Sequence, residues 1–349
     1  MKESTRKTYN GLDLGKFLCA LLILFYHYFS EQGSLPRILD EALSLYAVAV
    51  ALFMVMSGFL YSEKVKQMKT NDQRWNVTKR QVFHILKIYL LWSIPYLVYT
   101  ISRWDFDALT VGFVLENVRN WIFNSTFYTI WFMPSCALGL LIVYYLERYL
   151  SPKMVGILAL VAYVVGSCML TYSFVGQESL HWQGFTAFVE TWLGGARGGW
   201  FFGFPMIYLG GLIARGKKRV KWIPAAFLTL VFMLSLLIEA LILRRVTNVH
   251  TGIDMCLVIP LVCVAIMWFL IDIPLKNNKY FLWMRKMSVL IFVSQRIFLS
   301  VLPAILPCIF NILFQFDLLR FIAICGGTIT FSSICIYMSE KYTILKNLY

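Results

Sequence analysis

Charge is scarce in this chain. Only 14% of its 349 residues are Asp, Glu, Lys or Arg, while 59% are apolar. That balance cannot cover a soluble globule with a solvated surface, so the chain reads as an integral membrane protein. Carboxylates are scarcer than cations, 18 against 32. In a soluble protein such an excess would suggest nucleic acid, but in a membrane protein it records loop topology, and no nucleic-acid partner is expected. The phosphate-cradling patterns GxGxxG and GxxxxGK[ST] are missing, as are GxSxG and HExxH. The eight cysteines form no CxxC pair or Cys/His cluster and sit in or beside apolar runs. They read as small packing residues, with neither a disulfide framework nor a metal site. Internal repeats, low-complexity tracts and coiled-coil heptads are also absent.

What is present is a series of long apolar runs. Stretches near 12–30, 43–61, 82–101, 128–149, 153–173, 200–214, 222–243, 253–271, 287–309 and 318–338 predict an all-α, polytopic fold of ten transmembrane helices. They leave no room for a soluble domain, so residues 1–349 are expected to form one membrane-embedded domain. Basic residues gather on alternate connectors, among them Lys2, Arg6, Lys7, Lys64, Lys79, Arg80, Lys217, Lys218 and Lys286. Fewer fall on the opposite side, namely Arg37, Arg103, Arg119, Arg197, Arg244, Arg245 and Arg320. This bias places both termini in the cytoplasm. The basic start followed by an apolar run imitates a secretory signal, but the run carries Lys16 and His27 and ends without a small-x-small site, so it is expected to stay as an anchor.

The first run, Leu12 to Phe29, carries the costliest groups. Lys16 and His27 are eleven residues apart, close to three helical turns, so they share one face within ~20° and stand ~16 Å apart. Ionisable groups at membrane depth are functional candidates by default. Imidazole can take a proton from a hydroxyl or orient an acyl group. A histidine bonded to a neighbouring carbonyl is its structural alternative. Lys16 has two readings as well, a site cation or a side chain that snorkels and pairs with Asp13. Arg80, His84 and Lys87 share a helical face that could hold the phosphates of a nucleotide-like donor, and positive-inside charge accounts for the same residues. Glu239 can join the site or pair with Arg244 and Arg245; Asp254 and Arg296 can each close an internal pair. Residues 102–127 and 174–199 read as interfacial connectors with aromatic anchors. The short helix after Gly194-Gly195-Ala196-Arg197-Gly198-Gly199 either borders a cavity or packs closely through its small residues.

Taken in order, these segments resemble a known family. Leu12-Asp13-Leu14-Gly15-Lys16-Phe17 through His27, followed by Phe53-Met54-Val55-Met56-Ser57-Gly58-Phe59-Leu60, resembles the bacterial membrane acyltransferase-3 family. Its opening motif is a basic residue with histidine eleven positions later, then an apolar helix ending in Ser-Gly-Phe. Lys87-Ile88-Tyr89, Trp131-Phe132-Met133-Pro134, the run Arg197-Gly198-Gly199-Trp200-Phe201-Phe202-Gly203-Phe204-Pro205 and Met287-Ser288-Val289-Leu290-Ile291-Phe292 match further family segments in the family's order. The resemblance extends from end to end. The chain departs from the pattern at Lys16 and Lys87, where arginine is usual, which keeps the charge and loses bidentate capture. It departs also at Gln295, where a histidine is often found.

The resemblance implies a multi-pass O-acyltransferase of the bacterial inner membrane. Such an enzyme moves an acetyl or other short acyl group from cytoplasmic acyl-CoA to a hydroxyl of an envelope polysaccharide or lipid-linked sugar. Acetyl-CoA or another acyl-CoA is then the donor substrate, with no permanently bound cofactor, the bilayer is the solvent, and a homodimer is compatible with the arrangement. Carried onto this sequence, His27 is the expected base and Lys16 steadies the donor or the oxyanion. Lys16, Arg80, Lys87 and Ser57 lie on the donor side, and Arg197, Trp131, Tyr128 and Glu239 border the acceptor. Two other classes stay open: a transporter using Lys16, His27 and Glu239 as a relay, and a substrate-supply module, as for L-serine, because a similar membrane domain is fused to racemases.

Overall fold

The computed structural model describes residues 9–32, 46–216, 219–247, 253–313 and 317–349. All regular structure among them is helical. The helices are α1 (Asn10–Gln32), α2 (Tyr46–Val65), α3 (Asn71–Ser102), α4 (Val111–Phe123), α5 (Phe132–Tyr149), α6 (Pro152–Leu170), α7 (Leu180–Trp192), α8 (Phe204–Arg215), α9 (Trp222–Thr247), α10 (Ile259–Asp272), α11 (Lys279–Arg296), α12 (Leu302–Ile305), α13 (Pro307–Leu313), α14 (Asp317–Phe321) and α15 (Gly327–Lys341). Three five-residue π-helical turns, Gly199–Gly203, Ile297–Val301 and Ile322–Gly326, interrupt the series.

Seven of these helical segments are long and apolar enough to cross a bilayer, where the sequence predicts ten. The other three expected spans are helical but fall short. α10 has only 14 residues because the polar segment before it, Ile253–Met255, turns as a 3-10 helix. α8 is preceded by a π turn instead of a full span, and α5 ends in the polar sequence Tyr144-Tyr145-Leu146-Glu147-Arg148-Tyr149. The chain is thus an all-α, multi-pass membrane protein. Of the basic residues that set the expected sidedness, Lys2, Arg6, Lys7, Arg37, Lys217 and Lys218 lie outside the described residues. Residues 102–127 and 174–199 carry the short helices α4 and α7, joined through Phe123 against Trp192 and Arg119 over the Trp192 ring.

Capping defines the long third helix at its start. The Thr70 side chain accepts from the Gln73 N–H, and Gln73 returns a bond to the Thr70 backbone, so two otherwise orphaned donors are satisfied together. The inner helices then meet at backbone contact. A Cβ built on Gly58 would stand 2.0 Å from the Ile207 carbonyl oxygen, and one on Gly210 would stand 2.1 Å from that of Val55. The Ser-Gly-Phe element of α2 is therefore where α2 and α8 cross without side chains between them, the small-residue contact that membrane interiors favour. Gly203 meets Ser135 of α5 in the same way, with its built Cβ 2.3 Å from the Ser135 carbonyl oxygen. α1 lies against α2, α10 and α11, and Gly11 and Gly15 admit Leu270 of α10.

Gly210→Ala forces apart two backbones with no flexible side chain to yield, so it should cost about 1–3 kcal/mol. Gly184→Ala in α7 has nothing within 4 Å of its added methyl and should be neutral or slightly stabilising. Thermal unfolding of both variants in detergent checks this; equal melting temperatures would refute the close crossing.

Candidate functional site

A cavity of about 310 Å³ opens at the His27 end of α1. α1 contributes Ile23, Tyr26 and His27, and α2 contributes Tyr46, Ala47 and Val50. Tyr128, Thr129, Trp131 and Phe132 enter from the start of α5, Arg197 and Phe202 from the glycine-rich turn, Asp254 from the 3-10 segment, and Phe292 and Arg296 from α11. Every polar member but one is held by a neighbour across the cavity wall. Arg296, 1% exposed, donates to His27 Nδ1 at 2.9 Å, and its guanidinium lies 4.4 Å from the centre of the Tyr128 ring. The Tyr46 hydroxyl donates to Asp254 Oδ1 at 2.8 Å, and Arg197 forms an ion pair with Asp254 Oδ2. Tyr26 and Tyr46 are stacked, their ring centres 3.5 Å apart. The exception is Thr129, whose buried hydroxyl has no hydrogen-bond partner among the described residues.

Backbone irregularity aims these side chains. Gly194 and Gly195 adopt φ of +81° and +69°, a region only glycine enters freely, and they bend the chain so that Arg197 turns towards Asp254. The Arg197 carbonyl accepts from Ser135 Oγ at 3.0 Å. Burial lowers the pKa of its guanidinium, and the Asp254 carboxylate more than offsets this, so Arg197 stays above the ordinary arginine value. Asp254 is placed by a segment whose backbone groups are met by side chains. Thr171 Oγ1 accepts from Met255 N at 3.1 Å, and Tyr163 donates to the Cys256 carbonyl at 2.7 Å. The Glu239 carboxylate accepts from Leu257 N at 2.7 Å and Val258 N at 3.1 Å, and also from the Tyr172 hydroxyl. Non-helical backbone at depth persists only where its polar groups are satisfied in this way. Glu239, expected at the acceptor, thus sits outside the cavity and caps the chain leading into α10, where a carboxylate suits the helix N-terminus.

The other expected residues divide into two groups. His27, Arg197, Trp131 and Tyr128 all line the cavity. Lys16 and Ser57 lie beyond its floor. The Ser57 hydroxyl donates to the Phe53 carbonyl at 2.8 Å and contacts the Cys136 thiol, and Lys16 is within electrostatic range of Cys136 and of the Asp13–Arg285 pair. That pair is a bidentate fork with both contacts at 2.7 Å. Lys16 is therefore not the immediate partner of Asp13, which Arg285 occupies. Lys64 is within range of both Lys16 and His84, and Lys87 within range of His84, so the basic groups form a strip leading away from Lys16. Arg80 is exposed one turn before His84, and Lys87 donates to Asn347 Oδ1 at 2.6 Å. Gln295 is buried, bonded to the Phe292 carbonyl at 2.9 Å, and does not line the cavity. Among the described residues no cluster of three His, Cys, Asp or Glu side chains is placed to hold a metal.

Between the cavity and the Lys16 locus stands a layer of three phenylalanines. The ring centres of Phe53, Phe132 and Phe292 are 5.9, 6.1 and 5.5 Å apart in pairs. Phe53 precedes Ser57 by one turn of α2, and Phe132 precedes Cys136 by one turn of α5. The Lys16 to His27 stripe is therefore interrupted by an apolar layer. It joins two polar compartments across an apolar floor, a feature that spacing on one helix could not reveal.

A family model described as an acyltransferase domain matches residues 9–337. An amino-acid racemase from Enterococcus faecalis is 27% identical over 257 residues, 69% of this chain and 34% of that protein. A serine/alanine racemase from Enterococcus gallinarum is 25% identical over 284 residues, 78% of this chain and 38% of that protein. The chain thus spans about a third of the length of these curated relatives. No solved structure matches it.

The phenylalanine floor makes Cys136 a reporter. A membrane-impermeant methanethiosulfonate that enters the cavity should leave Cys136 unmodified in the parent protein and modify it in Phe132→Ala or Phe292→Ala, with the labelled peptide identified by mass spectrometry and Cys136→Ser as reference. Equal labelling in the parent and the variants would refute the floor.

Proposed function

The chain belongs to the acyltransferase family whose domain model spans nearly all of it, and on that footing we propose a membrane O-acyltransferase. It moves an acetyl or other short acyl group from acyl-CoA to a hydroxyl of an envelope polysaccharide or lipid-linked sugar, working in the bacterial inner membrane. The observation that carries this reading is the cavity itself. One histidine stands in a partly buried chamber lined by three tyrosines and Trp131, beside an Arg197–Asp254 pair, a wall suited to the flat faces and hydroxyls of a sugar.

The donor approaches from the opposite end. Its phosphates meet the basic strip of Lys64, His84 and Lys87, with Arg80 at its outer edge, and the pantetheine arm passes Lys16 and Ser57. The thioester then crosses the phenylalanine floor to reach His27. Lys16 offers a point charge where a guanidinium would offer a fork, so its part is to attract and steady the donor. Within the floor itself the thioester is surrounded by apolar rings, which limits hydrolysis as it passes.

Acetyl-CoA and a lipid-linked sugar supplied to the purified protein in vesicles test the reading. His27→Ala should lower transfer by about a hundred-fold or more, the usual cost of removing a group that contacts the reacting atoms; full activity in this variant would overturn the site. Lys16→Ala should raise the KM for acetyl-CoA while Lys16→Arg keeps it near the parent value. Equal donor affinities in all three would remove Lys16 from the donor path.

The curated relatives support a second reading, a transporter or a module supplying an amino acid such as L-serine. The opposite charges of Arg197 and Asp254 in one cavity could meet a zwitterion. Uptake of L-serine by the same vesicles without acyl-CoA consumption would favour it.

A further inference from the structure

The bond between Arg296 and His27 decides what the histidine can do. A guanidinium carries only donors and does not lose its proton in proteins. At 2.9 Å from Arg296 Nη2, His27 Nδ1 must therefore accept, which leaves it without a hydrogen. A neutral imidazole then carries its single proton on Nε2. No hydrogen bond from Nε2 to protein is found among the described residues, and the His27 side chain lines the cavity. The nitrogen offered to a ligand is consequently an N–H.

Arg296 is built for this task. It is the last residue of α11, directly before the π turn Ile297–Val301, and a π turn displaces side chains from the positions a regular helix would give them. Its guanidinium is 1% exposed and covered by the Tyr128 ring at 4.4 Å. One turn earlier in the helix, the Val293 carbonyl is tied to the Tyr96 hydroxyl of α3, which anchors the end of α11. A side chain so enclosed holds one rotamer, and the imidazole opposite inherits its orientation.

We propose that Arg296 is a positioning residue that fixes His27 as the Nε2–H tautomer, so that His27 meets the acyl carbonyl as a hydrogen-bond donor. This deepens the acyltransferase reading and rests on it for the identity of the carbonyl. As the acceptor oxygen bonds to the carbonyl carbon, the carbonyl oxygen gains negative charge, and the Nε2–H stabilises it. The carbon–sulfur bond then breaks, and the proton lost by the acceptor hydroxyl ends on the departing thiol. His27 thereby serves the carbonyl, in contrast to the base expected from the sequence, because its other nitrogen is occupied by a permanent donor.

Nuclear magnetic resonance of the full-length protein, labelled with 15N and 13C histidine and reconstituted in nanodiscs, reads the tautomer without needing turnover. The His27 signal is assigned by its loss in His27→Asn. The wild-type protein should show a protonated Nε2 and a bare Nδ1. Arg296→Met, which removes the donor, should give a mixture of tautomers and lower acetyl transfer by about a hundred-fold, while Arg296→Lys, which keeps a donor, should restore the Nε2–H form and much of the rate. A proton on Nδ1 of the wild-type protein overturns the proposal whether or not any variant folds, and so does an unchanged tautomer in Arg296→Met. If the wild-type tautomer is as stated but no acyl transfer occurs, the acyltransferase reading fails while the role of Arg296 as positioner of His27 is upheld.

Discussion

The pairing of Arg197 with Asp254 is the contact on which the cavity depends. Arg197 stands on a glycine-bent turn and Asp254 on a 3-10 segment, so neither is held by the ladder of a regular helix. Their ion pair ties the two irregular segments together, and the Tyr46 hydroxyl adds the start of α2 to the same carboxylate. Asp254 is 7% exposed, and a carboxylate so buried must be paired and hydrogen-bonded to be tolerated. Removing Arg197 would thus leave a charge that the low-dielectric interior cannot solvate. Specificity of arrangement is the benefit such a pair brings, because both carboxylate oxygens are engaged only when the three segments meet at Asp254.

The same constraint spreads outwards from that pair. A short segment that leaves helical geometry exposes backbone groups, and in lipid each unsatisfied group is costly. Tyr163, Thr171 and Glu239 meet the backbone groups of residues 255–258, and Tyr172 donates to Glu239. Glu239 therefore supports the site without entering it. A charged group in an apolar helix was a sound signal of importance, but its spacing from Arg244 and Arg245 gave the wrong neighbour, since Tyr172 and the α10 entrance lie on other segments. Local spacing can propose only partners on the same helix.

That limit separates what was legible from what was not. The polar stripe of α1, the glycine-rich turn with the small residues after it and the aromatic residues near 128–131 were legible, because a costly group or a small residue in an apolar run needs a local reason, whereas the Ser-Gly-Phe element was visible only as a motif and not as a helix crossing. Arg296 and Asp254 were visible as costly groups, yet their partners His27 and Arg197 come from other elements, and pairwise contact across a helical bundle is not encoded in periodicity. The sequence reads ten spans where seven helices are long and apolar enough to cross a bilayer on their own, and the difference has a related reason. Apolar composition persists through α8 and α10, while the π and 3-10 turns that shorten them arise where the chain bends around the cavity. The phenylalanine floor was hidden in plain view: Phe53, Phe132 and Phe292 read as ordinary core residues until three helices bring their rings together.

The floor gives the remaining arrangement its sense. Two compartments of opposite character flank it, a basic one around Lys16 and an aromatic one around His27. A water-filled track between Lys16 and His27 would solvate both groups cheaply, but it would also open the bilayer to ions. An apolar layer of three rings is a poor path for water and ions, and any ligand that crossed it would have to displace a ring. Aromatic side chains suit that demand, since rotation about two bonds can open a gap while their large faces restore contact afterwards. The Phe132 and Phe292 rings belong to the helices that also bear the Trp131 and Arg296 side chains of the cavity wall. The rings of the floor and the wall of the outer chamber are thus carried by the same two helices.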